Sequence, residues 1–328
     1  MADRIKLDLA ELERAARLVY HIMPPTPFYA WPKLKRRSGV SVWVKHENHT
    51  PTGAFKVRGG IVFMDRLRRE RPEVPGIITA TRGNHGQSLA LSAARAGLKA
   101  VIYVPKGNSP DQNSAIAGFG ARLVEFGNDF EEARQEAARV AESEGLEFVP
   151  PFHRDLVAGV ASYALELFRA GQSLDAVYVG VGMGSGICGL IAVRDALGLR
   201  TEIIGVSPLN ASANAQSYAA RQPVAAASSR TFADGLATRQ PMAQAVATMV
   251  RGVARWVEVS EDEMAEAVRA YFDDTHQVAE GAGAAPLAAL LKERAKMAGK
   301  QVGLILSGGN IERERFQQLL GGTTPKVI

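Results

Sequence analysis

The segment Glu47-Asn48-His49-Thr50-Pro51-Thr52-Gly53-Ala54-Phe55-Lys56-Val57-Arg58-Gly59-Gly60 decides how the chain is read. The run before it, residues 40–46, is short and rich in valine, which predicts a strand. Thr52-Gly53 marks a helix entry, and the spacing after it predicts a helix over residues 55–69. Lys56 then falls in the first helical turn. A cation there meets the positive end of the helix dipole. Flanking Ala54, Phe55 and Val57 argue for burial, which also disfavours the ammonium. Both effects move the side chain towards a free amine, the form that attacks an aldehyde to give a Schiff base. A surface lysine is the alternative.

Outward from this segment the same strand–helix unit recurs. Strands are predicted at 76–80, 99–104, 121–126, 176–181, 201–206, 255–259 and 302–306. Helices are predicted at 84–96, from Ser109, and at 129–144, 261–273 and 283–298. Regular alternation predicts parallel sheets with right-handed crossovers, whose ligands sit at the carboxyl ends of strands. The chain has 328 residues, which is long for one core, so two domains are expected.

Three further motifs lie at such strand ends. Thr81-Arg82-Gly83-Asn84-His85-Gly86-Gln87 offers backbone N–H groups at a helix start, suited to a carboxylate or phosphate. Its plainer reading is a helix capped by Asn84. Gly180-Val181-Gly182-Met183-Gly184-Ser185-Gly186-Ile187-Cys188-Gly189 is a glycine-rich turn of the kind that cradles phosphate. Gly184, Gly186 and Gly189 also fit the dinucleotide fingerprint, but that reading wants an acid at the end of the next strand. Glu202 lies near that strand's start instead. Ser307, in Leu306-Ser307-Gly308-Gly309-Asn310, binds a ligand or caps the following helix.

Composition narrows the function classes. Hydrophobic residues make up 46% and charged residues 22%, as in ordinary globular proteins. The net charge of +5 is spread along the chain, and the densest run, Lys33-Leu34-Lys35-Arg36-Arg37, reads as a solvated helix face, so no nucleic-acid partner is expected. Cys188 is the single cysteine, which fits a reducing compartment. No apolar run reaches membrane-spanning length and the N-terminus lacks a signal sequence. A cytoplasmic protein without a membrane partner is expected.

Taken together and in order, the four segments resemble the fold-type II pyridoxal-phosphate enzymes, specifically the threonine and serine dehydratases and serine racemases, from about Pro24 to Asn310. The resemblance implies an α/β fold (tryptophan synthase β-like) of two open parallel-sheet domains with pyridoxal 5'-phosphate in the cleft between them. The large domain would comprise residues 1–75 and 151–328, and the small inserted domain residues 76–150. By the same resemblance Lys56 forms the Schiff base and Phe55 packs on the cofactor ring. Asn84 binds the ring's phenolic oxygen, and Gly182, Met183, Gly184, Ser185 and Gly186 hold the phosphate. Ser307 faces the pyridine nitrogen, and Glu280, in Ala279-Glu280-Gly281-Ala282-Gly283, lies near the ring. Thr81, Gly83, Asn84 and His85 bind the substrate carboxylate. Asp234, in Ala233-Asp234-Gly235, matches a family segment and is assigned to the substrate site. A homodimer is implied as well.

The implied activity is a dehydratase, or ammonia-lyase, that takes a small β-hydroxy amino acid such as threonine or serine to a 2-keto acid and ammonia. Lys56 would also take the Cα proton. Three departures bear on this expectation. Arg82 stands where racemases carry a proton-donating serine, and a guanidinium is a poor proton donor, which disfavours racemisation. Arg82 is expected either to line the substrate site and help select the substrate, or to be an exposed or salt-bridged residue of the carboxylate loop. Ser207 and Ala213 stand where metal-activated relatives carry acids, so no divalent metal is expected there. Met183 and Ser185 replace glycines common in the phosphate loop, and Gly159-Val160-Ala161-Ser162 replaces Gly-Gln-Gly-Thr, which leaves the shape of the site open. No regulatory domain is expected after Asn310. The readings kept beside this one are a racemase, a lyase for a bulkier β-hydroxy amino acid, a nicotinamide-dependent oxidoreductase and a non-catalytic cofactor carrier.

Overall fold

The chain is described over residues 3–327 by a computed structural model, in which the valine-rich runs and the amphipathic stretches alternate as expected. The N-terminal part runs α1 (Leu9–Tyr20), β1 (Phe28–Ala30), α2 (Pro32–Ser38), β2 (Ser41–His46) and α3 (Lys56–Glu70). Next come β3 (Gly76–Ala80), α4 (Asn84–Arg95), β4 (Lys99–Val104), α5 (Pro110–Gly118), β5 (Arg122–Glu125), α6 (Phe130–Glu144) and β6 (Glu147–Phe148). Then follow α7 (Arg154–Arg169), β7 (Ala176–Gly180), α8 (Ser185–Ala196), β8 (Glu202–Pro208), α9 (Ala213–Ala220) and α10 (Ala243–Gly252). The chain continues through β9 (Arg255–Val259), α11 (Glu261–Thr275), α12 (Gly281–Glu293), β10 (Gln301–Leu306) and α13 (Arg313–Leu320).

Two sheets form. One has the order β1-β2-β10-β7-β8-β9, and the other β5-β4-β3-β6. All pairings are parallel except β1 with β2. That antiparallel edge strand departs from the expected all-parallel arrangement. It is three residues long, too short for a periodic signal, and follows a proline-rich turn whose Pro27 carbonyl accepts from His46 N at 2.9 Å. Each sheet is covered on both faces. Separate apolar clusters lie around Leu12, Val160 and Leu190, around Val206, Tyr271 and Leu287, around Phe63, Leu89 and Ile102, and around Ile78, Tyr103 and Ala137. Burial on both faces explains why the central strands read as continuous apolar runs.

Local physics sets the helix starts. Asp8 and Ser260 each close a capping box at α1 and α11. Ser109 caps α5, with Pro110 as the first helical residue. The helix expected over 283–298 instead spans Gly281–Glu293 and carries Pro286 within it. The apolar spacing runs on to Met297, but the helix stops before Arg294, where the chain turns towards β10. The basic run on α2 is not purely solvated: Arg37 Nε donates to Asp274 of α11 at 2.6 Å and Lys33 Nζ to the Asp273 carbonyl at 3.1 Å. No helix among the described residues is long and apolar enough to cross a membrane.

Beneath the Lys56 helix lies a buried ionic network. Arg58 on α3 donates to Glu47 (Nε–Oε2, 2.7 Å), to Glu166 on α7 (Nη1–Oε1, 2.6 Å) and to Ser162 (Nη1–Oγ, 2.9 Å). Lys45 Nζ reaches the Thr26 carbonyl at 2.6 Å and also pairs with Glu166. Four charges are thereby matched in pairs, as burial demands. Helices α3 and α7 approach so closely that a Cβ on Gly159 would collide with the Arg58 carbonyl. The network and this contact fix the helix that begins with Lys56.

Candidate functional site

Lys56 lies in the first turn of α3, as the sequence predicts, and is its first residue; its entry loop is stitched to the end of β10. Phe55 N donates to Ser307 O at 3.1 Å, and Gly309 N to Gly53 O at 2.9 Å. Ser307 thus sits directly beside the Ala54–Phe55 peptide. Ser88 Oγ of α4 donates to Lys56 O at 2.7 Å, tying the second sheet's first helix to the same point. Lys56 Nζ donates to Ser185 Oγ at 3.3 Å and lies 5.0 Å from the centre of the Phe55 ring. Burial lowers its pKa to about 8, against the opposing pull of Glu280.

Ser185 opens α8 and closes the glycine loop. Gly184, just before it, has φ +98°, a left-handed conformation that favours glycine. A Cβ on Gly182 would collide with the Gly235 carbonyl. The loop's other neighbours are Tyr163, whose hydroxyl donates to Gly186 O at 2.9 Å, and Phe55, whose ring meets Tyr163 edge-on at 6.1 Å. Met183 Sδ lies 3.9 Å from Thr238 Oγ1. The free N–H groups and dipole of a helix start make this loop an anion cradle.

The turn over residues 81–85 leads into α4 and joins the same cluster through Glu280. Gly83, not Asn84, is the N-cap of α4, without a side-chain cap bond, and Gly83 N donates to Thr81 Oγ1 at 3.1 Å. The Asn84 side chain is therefore free to bond elsewhere, and its Nδ2 donates to both oxygens of Glu280, at 2.9 and 3.1 Å. Burial raises the Glu280 pKa to about 7, with the Asn84 bond acting in the other direction. The His85 ring is buried, its Nε2 has no partner among the described residues, and burial lowers its pKa to about 3, so it is neutral. Arg82 is exposed and has no hydrogen bond or ion pair among the described residues.

Hydrogen bonds and ring contacts thus gather Phe55, Lys56, Ser185, Gly186, Asn84, Glu280 and Ser307 into one cluster. Asp234 stands apart. Its carboxylate accepts from Arg315 Nη1 of α13 at 2.9 Å and is 62% exposed, while the following Gly235 backs the glycine loop. At the two positions expected to match the acids of metal-activated relatives, Ser207 Oγ accepts from Trp256 Nε1 at 2.9 Å, and Ala213 is fully buried.

Residues whose partners sequence reasoning passes over extend the hydrogen-bonded cluster. Asn310 Nδ2 donates to Thr52 O at 2.7 Å and to Asn84 Oδ1 at 2.8 Å, so it sets which way the Asn84 amide faces. Gln112 Nε2 donates to the Asn310 carbonyl at 3.3 Å, and Gln112 Oε1 accepts from Gln87 at 2.7 Å. Asn310 ends the Ser307 motif, yet nothing in its local pattern assigns it a partner 226 residues away. Gln112 and Tyr163 lie in ordinary helical spacing and give no signal.

This donor set fits pyridoxal phosphate. A desolvated primary amine stands next to a glycine loop at a helix start, and an oriented amide, Asn84, stands across from it. The family model described as pyridoxal-phosphate dependent enzyme matches residues 20–308. The biosynthetic L-threonine dehydratase of Pasteurella multocida is 32% identical over 296 residues, covering 89% of this chain and 58% of that protein. The L-threonine ammonia-lyase of Geobacter sulfurreducens is 36% identical over 84% of this chain and 68% of the relative. The processed threonine deaminase isoform 2 of Solanum lycopersicum superposes with a TM-score of 0.89 at 28% identity, covering 97% of this chain and 95% of that one. The chain spans about half the length of several curated relatives, between 50% and 58%.

Proposed function

The chain belongs to the family of pyridoxal-phosphate dependent enzymes, and within it we propose an ammonia-lyase that takes a β-hydroxy amino acid, such as threonine or serine, to a 2-keto acid and ammonia. The observation that carries this reading is the Lys56 amine, its pKa lowered to about 8, held beside Ser185 at the start of α8. The threonine dehydratases and ammonia-lyase among its relatives support the choice of reaction.

When bound, the cofactor supplies an aldehyde for amines and an electron sink for the Cα–H bond. The chain's own residues do the rest. Lys56 would hold the cofactor through its Nζ, and the same amine, its pKa lowered to about 8, would accept the Cα proton of the substrate. Gly182, Met183, Gly184, Ser185 and Gly186 would hold the phosphate through backbone N–H groups. Phe55 would pack against the ring, Ser307 would serve its nitrogen, and Asn84, bonded to Glu280, would orient it. Thr81, Gly83, Asn84 and His85 take the substrate carboxylate, with Arg82 at the rim as a selector. Overall, the β-hydroxyl leaves as water, a later water releases ammonia, and the carbon skeleton ends as the keto acid.

We place the smaller unit at residues 76–150, and the cofactor between the two sheets. The four strands of the smaller sheet all lie within that range, which supports this division. We further propose a cytoplasmic homodimer that uses no divalent metal at Ser207 and Ala213. The test is a panel of L-threonine, L-serine and bulkier β-hydroxy amino acids, assayed with pyridoxal phosphate for keto-acid release. Release from at least one of them supports the proposal, and release from none overturns it.

A further inference from the structure

The glycine loop between β7 and α8 has few side chains of its own, so its shape must be fixed from outside. One anchor is the sheet: Val181 N donates to Val206 O of β8 at 2.9 Å. A second is the close contact of Gly182 with the Gly235 carbonyl. The third is a single carboxamide. Asn214 on α9 is 2% exposed, and its Nδ2 donates to Val181 O at 3.2 Å and to Gly182 O at 2.8 Å. A primary amide nitrogen has two N–H bonds, and here each has its own carbonyl.

Two buried carbonyl oxygens converging on one centre is an arrangement that also ligates a cation. Here two N–H dipoles stand at that centre and bring no net charge. We propose that Asn214 is a positioning residue that does with a neutral amide what a bound cation would do: it draws the carbonyls of Val181 and Gly182 together and so sets the loop that follows them. The surroundings agree with an uncharged device. Ser207, at the end of β8, is engaged by Trp256, and Ala213, next to Asn214, is apolar, so neither adds a carboxylate. The inference rests on reading the 182–186 loop as the phosphate loop.

A specific consequence follows for Asn214→Asp. The substitution keeps the side chain's size but replaces two donors with an anionic oxygen facing two carbonyls. That arrangement is repulsive by itself and becomes attractive when a cation enters, because carboxylate and carbonyl oxygens are among the ligands that calcium takes. The wild-type protein would gain nothing from the same ion.

The experiment uses holoenzyme of the wild type, Asn214→Asp and Asn214→Ala, stripped with chelator and then titrated with calcium chloride. The readouts are the melting temperature and the dissociation constant for pyridoxal phosphate. The wild type should be indifferent to chelator and to calcium. Asn214→Asp should bind the cofactor at least about tenfold more weakly in chelator, the cost of losing buried hydrogen bonds, and should recover most of this with calcium. Asn214→Ala should be weakened without recovery. The proposal is overturned if Asn214→Asp binds as the wild type does in chelator, if calcium fails to restore it, or if calcium stabilises the wild type equally. Should Asn214→Asp not fold, an Asn214→Ala protein with wild-type affinity and melting temperature overturns it. A wild type that binds no pyridoxal phosphate would overturn the functional reading instead, and the melting temperatures would still decide the role of Asn214.

Discussion

The side chains of Lys56 and Ser185 meet at 3.3 Å, and each is the first residue of its helix, α3 and α8. Two positive helix ends therefore converge on one ammonium, in a place where burial already disfavours charge. Burial is what lowers the pKa of this amine, to about 8. Glu280 is the one acid that works against this, and it is itself held with a raised pKa.

The raised pKa of Glu280 makes stability depend on pH in a defined direction. The native carboxyl holds its proton up to about 7, whereas an unfolded glutamate releases it near 4.5. Between these values the native state binds more protons, so this residue's contribution to stability falls as pH rises from about 4.5 to about 7. Glu280→Gln keeps an acceptor for Asn84 and removes the titration. Melting temperatures of the cofactor-free protein should show the variant gaining a few degrees over the wild type at pH 8, with the gain shrinking towards pH 4.5. A gain that grows on acidification would reverse the assigned direction.

Arg58 should be worth more to stability than any surface ion pair. It is fully buried and bonded to Glu47, Glu166 and Ser162, so removing it strands the buried Glu47 carboxylate and leaves Glu166 with Lys45 as its one cationic partner among the described residues. Arg58→Ala is expected to lower the unfolding free energy by about 3–5 kcal/mol, read by chemical denaturation. By contrast, Arg134→Ala, which breaks only an exposed pair with Glu131, should change it by less than about 1 kcal/mol. Equal effects would show that the network does not hold α3 in place.

Arg82→Ser tests the rim of the site. The wild-type guanidinium cannot donate a proton to Cα at ordinary pH, so the enzyme should eliminate without racemising. The exposed side chain has no partner to lose among the described residues, so the melting temperature should hardly move. The ranking of β-hydroxy amino acids by kcat/KM should shift. A lower melting temperature with an unchanged ranking would make Arg82 a structural residue, and wild-type interconversion of L- and D-serine as fast as pyruvate formation would contradict the first point.

Much of the fold is legible because sequence and structure are tied locally. The strands Gly76–Ala80, Lys99–Val104 and Arg255–Val259 fall on the predicted bounds, since turn residues and apolar runs punctuate them sharply. Lys56 is legible for the same reason: its place at a helix start follows from Thr52-Gly53. The edge strand β1 is not, because three residues carry no period. The Asn310–Asn84 bond, the turn of Asp234 towards Arg315 and the Asn214 amide depend on which loops the topology brings together. No local pattern encodes those meetings.

The most direct test compares the wild type with Lys56→Ala, each with pyridoxal phosphate and L-threonine, measuring 2-oxobutyrate and ammonia together. Equal amounts of the two products are expected from the wild type. A loss of at least about a thousandfold is expected in Lys56→Ala, within the range assigned to a positioned acid–base group, with a melting temperature near that of the wild type. Near-native release of both products by Lys56→Ala, without any added amine, would contradict the assignment of Lys56 as tether and base.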